Sequence, residues 1–196
     1  MITSRDNDTL KLVRKLLGQR KHRDESGLFA AEGEDLVAAA GVAGIEPVHL
    51  LVAGETIEEP LLAGVSTLPH PARAIGVYRR ADLRAAVRDT CLALWRLADP
   101  GNVGALIRTA DAFGAGVALS AGCADPLSPK ALRASVGAIF RVPLIDWAKT
   151  GSSSRSRSIP GTTIKRCGRT PSGSVPSRDG VSCAATWRKS TRCAAN

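Results

Sequence analysis

No run of about 18 apolar residues occurs in this 196-residue sequence, so no segment is expected to cross a bilayer as a helix. The start, Met1-Ile-Thr-Ser-Arg-Asp-Asn7, is polar and has no apolar core, which argues against a secretory signal. Cysteine is scarce and odd in number, five in all, with no Cys-x-x-Cys pair and no histidine cluster beside it. Neither a metal site nor a disulfide framework is expected. The glycine fingerprint of dinucleotide-binding folds and the Walker lysine are also missing, which disfavours a dinucleotide-dependent oxidoreductase. These absences lead us to expect a soluble, reduced, cytoplasmic protein with no membrane partner.

The gaps sharpen towards the C-terminus. From Gly151 to Asn196 there is no Leu, Phe, Tyr, Met or Glu. That segment holds nine Lys and Arg against the single acid Asp179, or +8 of the formal +9, while the first 150 residues balance 18 bases with 17 acids and contain all twenty leucines. Ten serines, seven arginines and only four residues among Ile, Leu, Val and Phe follow residue 150, with no period of 2 or 3.6. Such a composition buries too little apolar surface to offset chain entropy, so a disordered basic tail is expected over 148–196.

The first 147 residues are patterned. Asn7, Asp8 and Thr9 form a polar cap before Leu10, Val13, Leu16 and Leu17, which is helical spacing. Around that stripe lie Lys11, Arg14, Lys15, Arg20, Lys21 and Arg23, six bases in thirteen residues. They suit a nucleic-acid backbone and suit a solvated helix face equally well. A short strand at 27–31, a helix from Glu32-Gly33 to about Ala43, and strands at 48–53 and 74–78 make a small α/β unit. Arg79 to Arg88 reads as a charged connector. The pattern restarts with a strand at 91–97, a turn at Asp99-Pro-Gly-Asn102, and a helix over 103–113. A strand at 116–120, a loop to Pro129, a helix from Lys130 to about Phe140 and a strand beginning at Val142 follow. This alternation predicts a parallel sheet with right-handed crossovers.

Read physically, the turn before Val103 is a strand, glycines and a helix N-terminus. That arrangement suits an anion or a substrate oxygen and is also an ordinary βα connection. The residues Asn102-x-Gly104-x3-Arg108-Thr-Ala-x2-Phe113-Gly114, however, resemble the first signature of the SpoU/TrmH branch of SPOUT RNA methyltransferases. Ser128-Pro-Lys-Ala-Leu-Arg133-Ala-Ser135-Val-Gly137-Ala-Ile-Phe-Arg141-Val-Pro143 resembles the second conserved stretch of that family. Ile2-Thr-Ser4, Asn7 and Leu28-Phe29…Glu32-Gly33 resemble its N-terminal substrate-binding domain.

The resemblance implies an L7Ae/L30e-like α/β domain at 1–80, a linker at 81–90, and the N-terminal half of a SPOUT α/β-knot domain at 91–147. It implies methyl transfer from S-adenosylmethionine to a ribose 2′-hydroxyl of rRNA or tRNA, and a homodimer for intact members. Arg108 would act at the reacting ribose, activating the hydroxyl or clamping the neighbouring phosphate. The clamp is the easier chemistry, because a guanidinium keeps its proton. Asn102 would position the loop and substrate. Lys130, Arg133 and Arg141 are candidate RNA contacts, with helix-surface charge as the alternative.

The family pattern breaks after Trp147. Relatives continue into Gly-x-Glu-x-x-Gly-Leu and an Asn/Ser-rich motif that form the knot and hold the methyl donor. No Gly-x-Glu follows Trp147, so no cofactor-binding residue is assigned and the chain as written is expected to bind S-adenosylmethionine poorly. A reading-frame slip near 147–151 accounts for this. Joining the third base of each codon from Ser172 onwards to the first two of the next permits Trp-Leu-Gly-Ser-Glu-x-x-Trp-Gly-Leu, close to the missing motif. The alternative is a natural basic tail on a non-catalytic RNA-binding protein.

Overall fold

The computed structural model describes residues 1–83 and 88–146 with their side chains, and the backbone of 185–188. Asn7 starts the first helix, α1 (Asp8–Gly18), by accepting the Thr9 N–H on its side-chain oxygen at 2.9 Å. Leu10, Val13, Leu16 and Leu17 form its buried stripe. The helical spacing read from Leu10 to Leu17 ends with this stripe. Gln19 is extended (φ −130°, ψ 120°), and α2 (Arg20–Ser26) starts afresh until Gly27 ends it in the left-handed region.

β1 (Leu28–Glu32), α3 (Glu34–Val42), β2 (His49–Val52), α4 (Glu59–Ala63) and β3 (Ala74–Arg79) complete the first unit. The three strands form one antiparallel sheet in the order β1-β3-β2, with Leu28 opposite Arg79 and Leu51 opposite Ile75. A core of Leu10, Val13, Leu16, Ile57, Leu62, Ile75 and Val77 fills the side towards α1.

The second unit follows the expected alternation. It comprises β4 (Thr90–Leu94), α5 (Pro100–Ala112), β5 (Gly116–Leu119), α6 (Pro129–Ser135) and β6 (Leu144–Asp146). β4, β5 and β6 are parallel. Two expectations need correction. α5 begins three residues earlier than the turn reading allowed, because the Asp99 carboxylate caps the Asn102 N–H at 3.0 Å and Pro100 occupies the first helical turn. α6 stops at Ser135 rather than near Phe140, because Val136 (φ 49°) and Gly137 (φ 78°) are both left-handed; a short 3-10 turn then spans Ala138–Phe140.

Of the expected disordered tail, only 185–188 are described, and these four residues correct it locally. They form β7 (Ala185–Arg188), antiparallel to β4 at the sheet's outer edge in the order β6-β5-β4-β7. An open strand edge offers unpaired backbone groups, and Thr and Trp are good strand formers. The rest of 148–196, including the proposed frame slip, lies outside the described residues.

The two units share one core. Phe29, Ala31, Leu36, Ala40 and Tyr78 belong to the same cluster as Leu94, Val103, Ile107, Val117, Leu132, Ile139 and Phe140. Phe29, Tyr78 and Phe140 meet ring to ring, with centroids 5.5 to 6.2 Å apart.

Candidate active site

The signature helix α5 buries Val103, Gly104, Ile107 and Ala110 and leaves Arg108 exposed. Gly104 has a packing role: a Cβ there would overlap the Ala131 carbonyl oxygen and lie 2.7 Å from the Ala134 Cβ. The Asn-x-Gly spacing thus brings α5 against α6, where the sequence alone suggested approach to a ligand. Arg108, Ala105, Thr109 and Ala112 of α5, Phe113 just after it, and Ala134 of α6 line an open depression of about 410 Å3. Phe113 is 81% exposed there, an unusual state for a large apolar ring.

Asn102 is exposed at the first turn of α5, beside Asp99. Asp99 also accepts a hydrogen bond from the Lys130 ammonium at 2.7 Å, so the starts of α5 and α6 are tied together. That bond first, and the Asn102 N–H second, hold the Asp99 carboxyl below the usual carboxylate range.

The nine candidate RNA contacts divide. Arg23 is only 5% exposed: its guanidinium pairs with Asp125 at 2.7 Å and donates to the Leu16 carbonyl. It joins the two units and is not on the surface face proposed for RNA. Arg133 also spans the units, 3.6 Å from the buried Glu32 carboxylate and 3.3 Å from the Thr67 hydroxyl. Lys130 is held by Asp99, and Arg141 donates twice to one Asp111 oxygen, at 3.0 and 2.7 Å. Lys11, Arg20 and Lys21 make exposed pairs with Asp6, Asp24 and Glu25, which contribute little and leave the cations open to a stronger anion. Arg14 and Lys15 are exposed on α1.

Asp125 and Glu32 are not visible as site residues in the sequence. Asp125 lies 102 residues from its partner Arg23, and no local spacing signals such a pair. Glu32 did leave a trace, as part of the Leu28-Phe29…Glu32-Gly33 stretch that resembles the family's N-terminal domain. It is 3% exposed, with Ser66 and Thr67 donating to it.

The Arg108 depression and a second one at Ser26, Gly27, Leu28, Arg79, Arg80 and Ala81 are both open at the surface. Among the described residues no group of His, Cys, Asp and Glu is disposed to hold a metal, and no helix is long and apolar enough to cross a membrane.

A parallel sheet carrying this arginine-bearing helix, behind a docked antiparallel unit, defines the fold of a SPOUT-type methyltransferase. Residues 89–170 match the SpoU rRNA Methylase family, and residues 7–90 match the MRM3-like substrate binding domain. Together the two matches take in residues 7–170, a SpoU methylase region preceded by an MRM3-like substrate binding region. It is 30% identical to 23S rRNA (guanosine(2553)-2'-O)-methyltransferase RlmP of Bacillus subtilis over 74% of this chain and 64% of that protein. It is also 30% identical to the human mitochondrial rRNA methyltransferase 3, over 70% of this chain and 39% of that one. The AdoMet-bound rRNA methyltransferase of Sinorhizobium meliloti has a similar structure, with a TM-score of 0.62 at 32% identity, covering 74% of this chain and 63% of the other. The chain thus spans less than two thirds of the length of these relatives.

Proposed function

We propose that this chain derives from an RNA ribose 2′-O-methyltransferase acting on rRNA, and that its described residues supply the RNA-facing half of the site. The observation that carries this reading is Arg108, exposed on the signature helix and lining an open depression beside Phe113. A fixed positive charge there grips the phosphate next to the reacting ribose and orients its 2′-hydroxyl. Asn102, exposed towards the start of the same helix, completes the substrate side. Exposed Lys11, Arg14, Lys15 and Lys21 extend the RNA face onto the first unit.

S-adenosylmethionine is the methyl donor on this reading, supported by the AdoMet-bound relative. Its motifs are missing after Trp147, and the described residues offer it no enclosed pocket, so no step is routed through the donor. A frame slip near codons 147–151 explains the mismatch. A second copy of the chain is the natural cover for Phe113, Ala105, Ala112 and Ala134, in keeping with the homodimer that the family resemblance implies.

Radiolabelled methyl transfer to rRNA tests the reading, using this chain beside one whose reading frame is restored after codon 147. The restored chain is expected to label ribose 2′-oxygens, its Arg108→Ala variant to lose at least about a hundredfold in rate, and the 196-residue chain to be inactive. Failure of the restored chain to label RNA would overturn the proposal.

A further inference from the structure

The second depression, about 510 Å3, lies away from the two methylase signatures, and its two arginines, Arg79 and Arg80, belong to no signature stretch. Its floor is the junction of β1 and β3. Leu28 stands opposite Arg79, and the Arg80 N–H donates to the Gly27 carbonyl at 2.8 Å, which fixes where both arginines leave the sheet. Gly27 is left-handed, and a Cβ there would meet nothing within 4 Å, so the wall beside the arginines is open.

At this junction two arginines share one acid. Asp24 of α2 accepts from Arg20 at 3.3 Å and from Arg80 at 3.3 Å, so one carboxylate serves two guanidinium groups. Arg79, lining the same depression as Arg80, is exposed. Two arginines therefore share a single half-exposed carboxylate, and a third, Arg79, lines the same depression. Arg20 also reaches the Cys123 carbonyl of the second unit at 3.4 Å, so the cluster sits where the two units meet. Exposed arginine pairs of this kind exchange readily for a stronger anion, because their own pairing contributes little. A phosphodiester supplies a further negative charge and accepts hydrogen bonds from two guanidinium forks at once.

We propose that Arg79 and Arg80, with Arg20 around Asp24, form a binding site for the phosphodiester backbone of single-stranded RNA at the junction of the two units. The site rests on the RNA-binding part of the function proposed above and extends it to two arginines outside the family signatures. It gives the RNA a second grip, on the substrate-binding unit, in addition to Arg108.

The test is the salt dependence of binding of a fluorescent single-stranded rRNA fragment to the full chain, by anisotropy. Arg79→Ala/Arg80→Ala is expected to weaken binding about tenfold near 0.1 M salt and to flatten the slope of log K against log salt by about 1.4, about 0.7 for each phosphate no longer neutralised. Arg79→Lys/Arg80→Lys should keep most of the slope. Arg79→Ala alone, which removes no ion pair among the described residues, should flatten it by about 0.7 with an unchanged melting temperature. An unchanged slope and affinity in the alanine variants, with the unsubstituted chain still binding, overturns this site and leaves the proposed function standing. No RNA binding by the unsubstituted chain overturns both.

Discussion

The Arg23 guanidinium and the Asp125 carboxylate, from different units, meet at 2.7 Å with side chains only 6% and 11% exposed. Asp125 also accepts the Leu127 N–H on its other oxygen, and Arg23 reaches the Leu16 carbonyl, so the pair is hydrogen-bonded on both sides. Removing one partner strands the other in a poorly solvated site. Arg23→Ala is accordingly expected to cost about 3 kcal/mol in urea denaturation. Arg14→Ala, at an exposed position on α1, should change stability by less than about 0.5 kcal/mol. Equal effects of the two substitutions would show that the junction is not held as described.

Gly104 admits no side chain, because its Cβ would overlap the Ala131 carbonyl and crowd Ala134. Backbone cannot move aside as a flexible side chain can. Gly104→Ala should therefore destabilise the protein by about 3 kcal/mol, despite the better helix propensity of alanine. A matched denaturant series against Ala105→Gly, at an exposed neighbouring site, checks it; that change should cost about 1 kcal/mol from propensity alone.

Tyr78 is the only tyrosine in the chain, which makes its ionisation directly visible in the ultraviolet. Its hydroxyl is buried without a hydrogen-bond partner among the described residues. Burial first, and the charge of Glu46 second, push the phenol up to about 12. The folded state therefore holds a proton that the unfolded chain releases near pH 10. The contribution to stability is complete below that value and is lost as pH rises towards 12. Phenolate absorbance should appear together with unfolding. Tyr78→Phe should remove the alkaline sensitivity and, by deleting an unsatisfied buried group, leave the protein as stable or about 1 kcal/mol more stable at neutral pH.

Isothermal titration of the 196-residue chain with S-adenosylmethionine should give no micromolar binding. The described depressions are open and the Gly-x-Glu segment is missing. Micromolar affinity would mean that residues after 147 build a donor site despite their composition.

Much of the fold could be read from the residues. Leu10, Val13, Leu16 and Leu17 marked the buried face of α1, and the strand–helix alternation after Cys91 marked the parallel sheet, because both patterns have a short period along the chain. Arg108 was singled out by its signature spacing, and the structure leaves it exposed on α5, lining a depression. The helix ends were less visible. Gln19 and Val136 break helices through backbone conformation, and Val136 adopts a left-handed turn that its side chain disfavours. The junction was hidden for a different reason. Arg23 and Arg133 look like surface cations in a linear reading, and only their distant acids, Asp125 and Glu32, convert them into internal ties.

The interlocked rings of Phe29, Tyr78 and Phe140 have a consequence for how the molecule comes apart. A cut between residues 83 and 88 would leave each fragment with a bare oily face where the other had rested. Neither half could be expected to persist alone, and heating the whole chain should register in a calorimeter as a single cooperative event.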